Sequence, residues 1–294
     1  MWTKPWRMTE GFVIGGGLIV AGLMLELSTG AVDWDAFRWP VNAIVLACFV
    51  IFIVAMALAA RKVYAFRFLS TYAAAVPAIT YAVVLTIIMG LTRQTADGRG
   101  VNNMLTFWPF VLIYVYLAVI LGMAVVKRLR HLSSWRRDVP FLLNHLGLFI
   151  ALTCATLGNA DMQRLRMIIS EEAPEWRAID TQQHVVELPL AIQLERFIME
   201  EYDDGTPRRF ASDIQVLTKS GSNIHTTVDV NKPVVVEGWK IYQFGYNTAM
   251  GKDSRVSILE LVSDPWLNVV YTGIGMMLLG AVSMFLLGVR REQA

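Results

Sequence analysis

At 294 residues, with 55% hydrophobic and only 17% charged side chains, the chain falls below the roughly 25% charged fraction of a soluble domain. A net charge of +2 is too small to point to nucleic acid. The two cysteines, Cys48 and Cys154, form no CxxC, so a zinc site or thiol-exchange pair lacks ligands of the usual spacing. Both sit in apolar runs and are expected to be small core residues, not a disulfide.

The apolar character is unevenly spread. Residues 11–158 and 266–289 are mostly apolar, whereas 159–265 has the mixed composition of a water-facing domain. A bilayer core needs about 20 apolar residues of helix. Five stretches qualify directly: Gly11–Gly30, Val41–Ala60, Phe68–Gly90, Met104–Val126 and Trp266–Val289. A sixth, Val139–Gly158, is interrupted by Asn144 and His145 but is long enough. The first run is followed by further spans, so it is expected to remain as a helix and not be cleaved as a signal. Pro77 and Pro109 fall in or near spans, where bends are expected. The sequence therefore predicts a polytopic α-helical membrane protein of about six transmembrane helices. Five lie in 1–158, an extracytoplasmic domain in 159–265, and the last helix with a cytoplasmic tail in 266–294.

Orientation follows from basic residues in the short segments. Lys4 and Arg7 precede the first span, and Arg61, Lys62 and Arg67 follow the second. Lys127, Arg128, Arg130, Arg136 and Arg137 follow the fourth, and Arg290 and Arg291 the last. These twelve stand against Arg38, Arg93 and Arg99 in the opposite loops. The positive-inside rule then puts both termini in the cytoplasm and 159–265 outside. Trp39, Trp108 and Trp266 fall near the outer ends, as an aromatic belt requires.

Within 159–265, Asp161–Glu171 reads as an amphipathic helix. Strand patterns follow at His184–Leu190, Asp213–Lys219, Ile224–Val230, Val234–Glu237, Trp239–Tyr246 and Arg255–Val262. Turn residues separate them, including Ser220-Gly221-Ser222-Asn223 and Asn231-Lys232-Pro233. Such a series predicts an antiparallel β-sandwich or rolled sheet, with Val228, Val230, Trp239 and Ile241 among its buried residues.

His145 carries the most functional information. An ionisable side chain inside a spanning helix is costly and is a site hypothesis by default. With a rise of about 1.5 Å per residue, it lies roughly 9 Å from the cytoplasmic end of its span. Neutral imidazole there can bind a metal or the iron of a haem. The blander reading is a histidine hydrogen-bonded to a neighbouring helix. Asn144 makes the position doubly polar. Gly147, Ala151, Cys154 and Gly158 form a stripe of small residues that admits a flat ligand or a second helix. His131 sits among arginines and is expected to be solvated, and His184 and His225 lie on strands, His225 on the polar face. The basic stretch Lys127–Arg137 could attract anionic lipid or a propionate, but serves first as the topology signal. Asp203-Asp204-Gly205 lacks the rest of a calcium loop and reads as a turn. No P-loop, Gly-rich dinucleotide fingerprint or nucleophile motif is present, and no histidine stands at a motif spacing from Ser212-Asp213 to suggest a triad.

Several segments in order resemble the ResB (also called CcsB) family of cytochrome c biogenesis proteins. They are Leu188-Pro189-Leu190, Phe197, Tyr202-Asp203-Asp204-Gly205 and Pro207-Arg208-Arg209-Phe210-Ala211-Ser212-Asp213-Ile214. Val230-Asn231-Lys232-Pro233, Gly238-Trp239-Lys240-Ile241-Tyr242-Gln243 and Asp264-Pro265 follow, leading into a helix with Tyr271-Thr272-Gly273. Asn144-His145-Leu146-Gly147-Leu148 is similar to the family's histidine-bearing helix. The resemblance covers about half the chain. It implies a subunit of the System II machinery in the bacterial inner membrane, assisting haem delivery and attachment to CxxCH apocytochromes. A CcsA-like haem-handling partner is implied, with a thioredoxin-like thiol reductase as a further contact, and at most an accessory part in the haem lyase reaction. His145, with Asn144 and Gly147, would bind haem b transiently, His145 ligating the iron. The chain departs from the family in having four helices before the histidine helix and a short outer domain. It also has no Trp-Trp-Asp motif and so is not the fused form. A second reading is a non-catalytic membrane scaffold or sensor whose β domain binds an extracytoplasmic partner. A solute transporter is disfavoured by the lack of inverted repeats and by the scarcity of charges within the spans, where Glu26 stands alone.

Overall fold

The computed structural model describes residues 2–287. Arg290, Arg291 and the end of the last predicted span at Val289 lie outside the described residues. Two compact units are present: the helices up to Ala160 together with the chain from Trp266, and Asp161–Pro265.

The helical unit contains α1 (Met8–Thr29), α2 (Val41–Ala59), α3 (Tyr64–Leu69), α4 (Tyr72–Leu91), α5 (Trp108–Arg130), α6 (Trp135–Gly158) and α7 (Leu267–Leu287). Among the described residues, six helices are long and apolar enough to cross a membrane. The chain is a multi-pass helical membrane protein. Helices α2, α4 and α7 are apolar all round, as is α1 apart from Glu10 and Glu26, and they leave side chains such as Leu27, Ile51, Leu91 and Phe285 exposed, as lipid-facing helices do. Helix α5 is the hub, packing on α1, α2, α4 and α6. A Cβ on Gly22 of α1 would lie 2.6 Å from the backbone of Pro109 on α5, and Glu26 accepts the Trp108 N–H at 3.2 Å. Buried Asn42 of α2 donates to the Leu157 carbonyl of α6 at 3.2 Å.

Three expectations change. The span predicted as Phe68–Gly90 is broken at Ser70-Thr71, where the hydroxyls take the carbonyls of Arg67 and Phe68 and end α3 before α4 begins. Pro109 lies in the first turn of α5, where its missing N–H costs nothing, so it bends no helix. Cys48 is exposed on α2, while Cys154 is buried, and both are free; α2 has little of its surface covered, and Cys48 falls on the uncovered side.

The second unit is a single eight-stranded antiparallel sheet: β1 (Gln163–Ser170), β2 (Glu175–Ile179), β3 (Val185–Glu201), β4 (Pro207–Thr218), β5 (Asn223–Asp229), β6 (Val234–Val236), β7 (Trp239–Tyr246) and β8 (Val256–Ser263). Their order is β5-β4-β3-β2-β1-β8-β7-β6. The sheet rolls on itself: β5 approaches β6 and β7, and Ser212 of β4 donates to Ser257 of β8 at 2.7 Å. Alternate side chains fill one core, with Met167, Ile192, Ile214, Val228, Ile241 and Leu259 fully buried and Trp239 nearly so. The predicted helix at Asp161–Glu171 is instead β1: Leu165, Met167 and Ile169 point inward at period two. Val230 is only half-buried, because β5 ends at Asp229 and the chain turns there.

Candidate functional site

The site is built at the start of α6. Asp138, almost fully buried, accepts the N–H groups of Ser133 and Ser134 at 2.6 and 2.8 Å. Ser134 is the N-cap of α6 and Ser133 the residue before it, so the carboxylate ties down the chain where the helix starts. The same carboxylate lies 2.7 Å from Nε of Arg128, near the end of α5. This capping starts α6 four residues before the predicted span, so His145 lies about 15 Å along the helix at roughly 1.5 Å per residue.

His145 is half-buried. Its Nδ1 is 2.9 Å from the carbonyl oxygen of Phe141, one turn earlier. A carbonyl can only accept, so neutral His145 carries its proton on Nδ1 and presents the lone pair on Nε2. The ring stacks on Phe141, with centroids 3.8 Å apart and planes 17° from parallel. The guanidinium of Arg128, on α5, lies 5.3 Å from the Phe141 centroid. Asp138, Arg128 and Phe141 thus lead in a chain of contacts to the imidazole. Composition did not single out these three residues, although the four-residue spacing of Phe141 and His145 is the helical signal that links them.

Asn144 and Gly147 serve another face of α6. Asn144 donates to the Pro140 carbonyl at 2.9 Å and lies 3.3 Å from Met284 Sδ on α7. A Cβ on Gly147 would lie 2.6 Å from the Gly273 carbonyl and 3.0 Å from the Met277 nitrogen, both on α7. The small-residue stripe is therefore occupied by a second helix, and a flat ligand cannot lie against it. The structure brings Asn144 and Gly147 together and leaves His145 apart from them.

Among the described residues, no three His, Cys, Asp or Glu side chains gather to hold a metal ion. Haem makes no such demand, because the porphyrin supplies the equatorial nitrogens and the protein only axial ligands. An imidazole with Nδ1–H bonded to a carbonyl and Nε2 free fits an axial ligand, since that hydrogen bond fixes the tautomer and raises basicity.

The other histidines are engaged differently. His184 is not on a strand: it lies in the β2–β3 turn, paired with Asp180 at 3.2 Å, while His225 on β5 pairs with Glu195 on β3 at 2.6 Å, both at exposed positions. His131 lines a cavity with Arg61, Arg67, Lys127 and Arg130.

Several of the signature residues in the β unit are structural. Tyr202–Gly205 forms the tight β3–β4 turn, with Gly205 at φ 79° donating to the Tyr202 carbonyl. Asp204 takes the N–H and hydroxyl of Thr206, which hold its carboxyl below the usual range. Arg209 bridges Glu200 and Asp229 at 2.8 and 2.9 Å. Asn231, at φ 63°, and Gly238, at φ 84°, occupy left-handed turn positions that those residue types tolerate.

Residues 133–257 match the ResB-like family model. A Cytochrome c biogenesis protein CcsB from Prochlorococcus marinus (strain NATL1A) is 29% identical over 108 residues, 37% of this chain and 24% of that protein. Its namesake from Prochlorococcus marinus subsp. pastoris (strain CCMP1986) is 27% identical over 128 residues, 42% of this chain and 29% of that one. The match thus spans about a quarter of those relatives' length. The solved structure of Cytochrome c Heme Lyase CcmF aligns over 96% of this chain and 46% of its own, at 10% identity and TM-score 0.40, too distant to carry an argument.

Proposed function

We propose, from the match of residues 133–257 to the ResB-like family model, that this chain serves cytochrome c maturation as a membrane subunit assisting haem delivery. A CcsA-like partner would complete the unit, and CxxCH apocytochromes would receive the haem. The membrane would be the bacterial cytoplasmic membrane, with both termini inside and 159–265 outside. The observation that carries this reading is the state of His145 within the family-matched segment. Its Nδ1 is engaged by Phe141, and no described residue partners its Nε2. When bound, haem would supply the iron, and His145 is the residue of this chain that would hold it. The chain's part is to hold the imidazole against Phe141 with Nδ1–H on the Phe141 carbonyl, so that in the neutral ring Nε2 is the nitrogen with the lone pair.

This chain offers one histidine within its spans, so six-coordinate bis-histidine haem would take its second ligand from the partner. The purified chain is expected to show weak or five-coordinate haem, and the complex a tighter six-coordinate spectrum. His145→Ala should reduce the Soret band and the cytochrome c yield of the complex, and added imidazole should restore part of both. His225→Ala should leave them unchanged. Unaltered haem content in His145→Ala would reduce His145 to a packing residue and remove the residue-level support for haem handling.

A further inference from the structure

At the end of the helical unit that carries its basic residues, a cavity of about 380 Å³ opens between α2, α3 and α5. That volume is within the roughly 300–1,000 Å³ of ligand pockets. Arg61 comes from the segment after α2, Arg67 from α3, and Lys127 and Arg130 from the last turn of α5. His131 and Ser70 complete the polar wall, and no carboxylate lines it.

Among the described residues none of these four cations forms an ion pair, whereas neighbouring Arg128 is paired with Asp138. Two of the four are held in place by neutral groups. Arg130 donates to the Ala57 carbonyl at 2.8 Å and Lys127 to the Ser70 carbonyl at 3.1 Å. Arg67 lies over the Tyr64 ring at 4.9 Å. Side chains so fixed are preorganised without being neutralised. Four unpaired cations around one cavity are mutually repulsive, and an anion with several oxygens removes that cost.

We propose that this cavity is a binding site for the phosphate of an anionic membrane lipid. Phosphate chemistry follows from the convergence of arginine forks with a lysine on one volume. A lipid, in place of free phosphate, follows from the remaining wall: Ala57, Ala60 and Met123 are apolar and belong to the apolar packing between the ends of α2 and α5 next to the basic residues. A headgroup therefore meets the cations while its glycerol and first methylenes meet the apolar side. Basic pockets between spanning helices hold anionic headgroups in this way. The site is separate from His145 and does not depend on the haem reading.

The test uses the full chain purified in a neutral detergent and titrated with phosphatidylglycerol, bound lipid being read by native mass spectrometry. Arg67→Gln with Lys127→Gln should weaken binding by about twenty-fivefold, the change expected for two basic residues each worth about a factor of five near a lipid surface. Arg136→Gln with Arg137→Gln, basic at the same end but outside the cavity, should change it by less than about threefold. Because Lys127 also bonds the backbone, Arg61→Gln with Arg67→Gln provides a second pair that leaves both carbonyl contacts intact. Equal losses in cavity and control variants would mean diffuse surface attraction and overturn the site. Inorganic phosphate competing as well as phosphatidylglycerol would overturn the lipid assignment. Haemin displacing the lipid from the wild type, with haemin binding lost in the same variants, would reassign the cavity to propionates.

Discussion

Asp229 ends β5 with its carboxylate against Arg209, which also reaches Glu200. The Arg209 hydrogen bond holds the Asp229 carboxyl below its ordinary range. A depressed folded-state value means the contribution to stability is complete above the unfolded carboxylate value near 4. It is lost as pH falls from there through the folded value. Urea unfolding of the β unit, followed by the fluorescence of buried Trp239, should therefore lose stability below about pH 4, and Arg209→Gln should flatten that dependence. An unchanged acid limb in Arg209→Gln would mean that another carboxylate governs it, Asp213 with its Thr227 and Arg196 hydrogen bonds being next in line. The sequence showed His145 as a lone ionisable group in an apolar run because such a residue is rare there. It did not show the tautomer or the Phe141 stack. Those depend on one turn of helix geometry and on Arg128 arriving from another helix.

At the scale of elements, α6 and α7 pack backbone to backbone. Gly147 faces Gly273, and Gly280 faces Asn144, leaving no room for added carbons. Gly147→Leu should lower the stability of the detergent-solubilised chain by about 1–3 kcal/mol, the usual cost of overpacking. The atoms it would meet include main-chain oxygen and nitrogen, which cannot swing aside. Gly17 of α1 has open space around its missing Cβ, so Gly17→Leu is the matched control and should leave the thermal midpoint nearly unchanged. Equal losses in the two variants would argue against close α6–α7 packing. Length and apolarity made most of the spanning helices legible. The break at Ser70-Thr71 was hidden because two hydroxyls that end a helix are only a small fall in hydropathy. The strand β1 reads as an amphipathic helix in the sequence although Leu165, Met167 and Ile169 alternate with Arg164, Arg166 and Ile168. Exposed Ile168 blurred the period of two. The strand β2 has only Ala178 fully buried and so offers almost no pattern to read.

For the whole molecule, the distribution of basic residues makes the strongest demand. If the proposed orientation holds, Ser222 in the β4–β5 turn faces the outside. In a chain whose Cys48 and Cys154 are replaced by Ala, Ser222→Cys should react with a membrane-impermeant maleimide added to whole spheroplasts. A Leu132→Cys variant, near the basic cavity, should react only after lysis. Labelling of position 222 only after lysis would invert the topology and place the basic cavity on the outer surface.

A further consequence follows from the contact between Gly158 at the end of α6 and Trp266 at the start of α7. The chain leaves the helical unit and returns to it at almost the same point, so everything between residues 158 and 266 is a closed excursion. Joining ends that already meet asks little of the connecting length, since closure entropy grows only with the logarithm of the loop. The helical unit can therefore tolerate wide changes in what hangs from that point. One helical hairpin can act as a socket for β units of different size, each exchanged as a cassette without re-tuning the rest of the bundle.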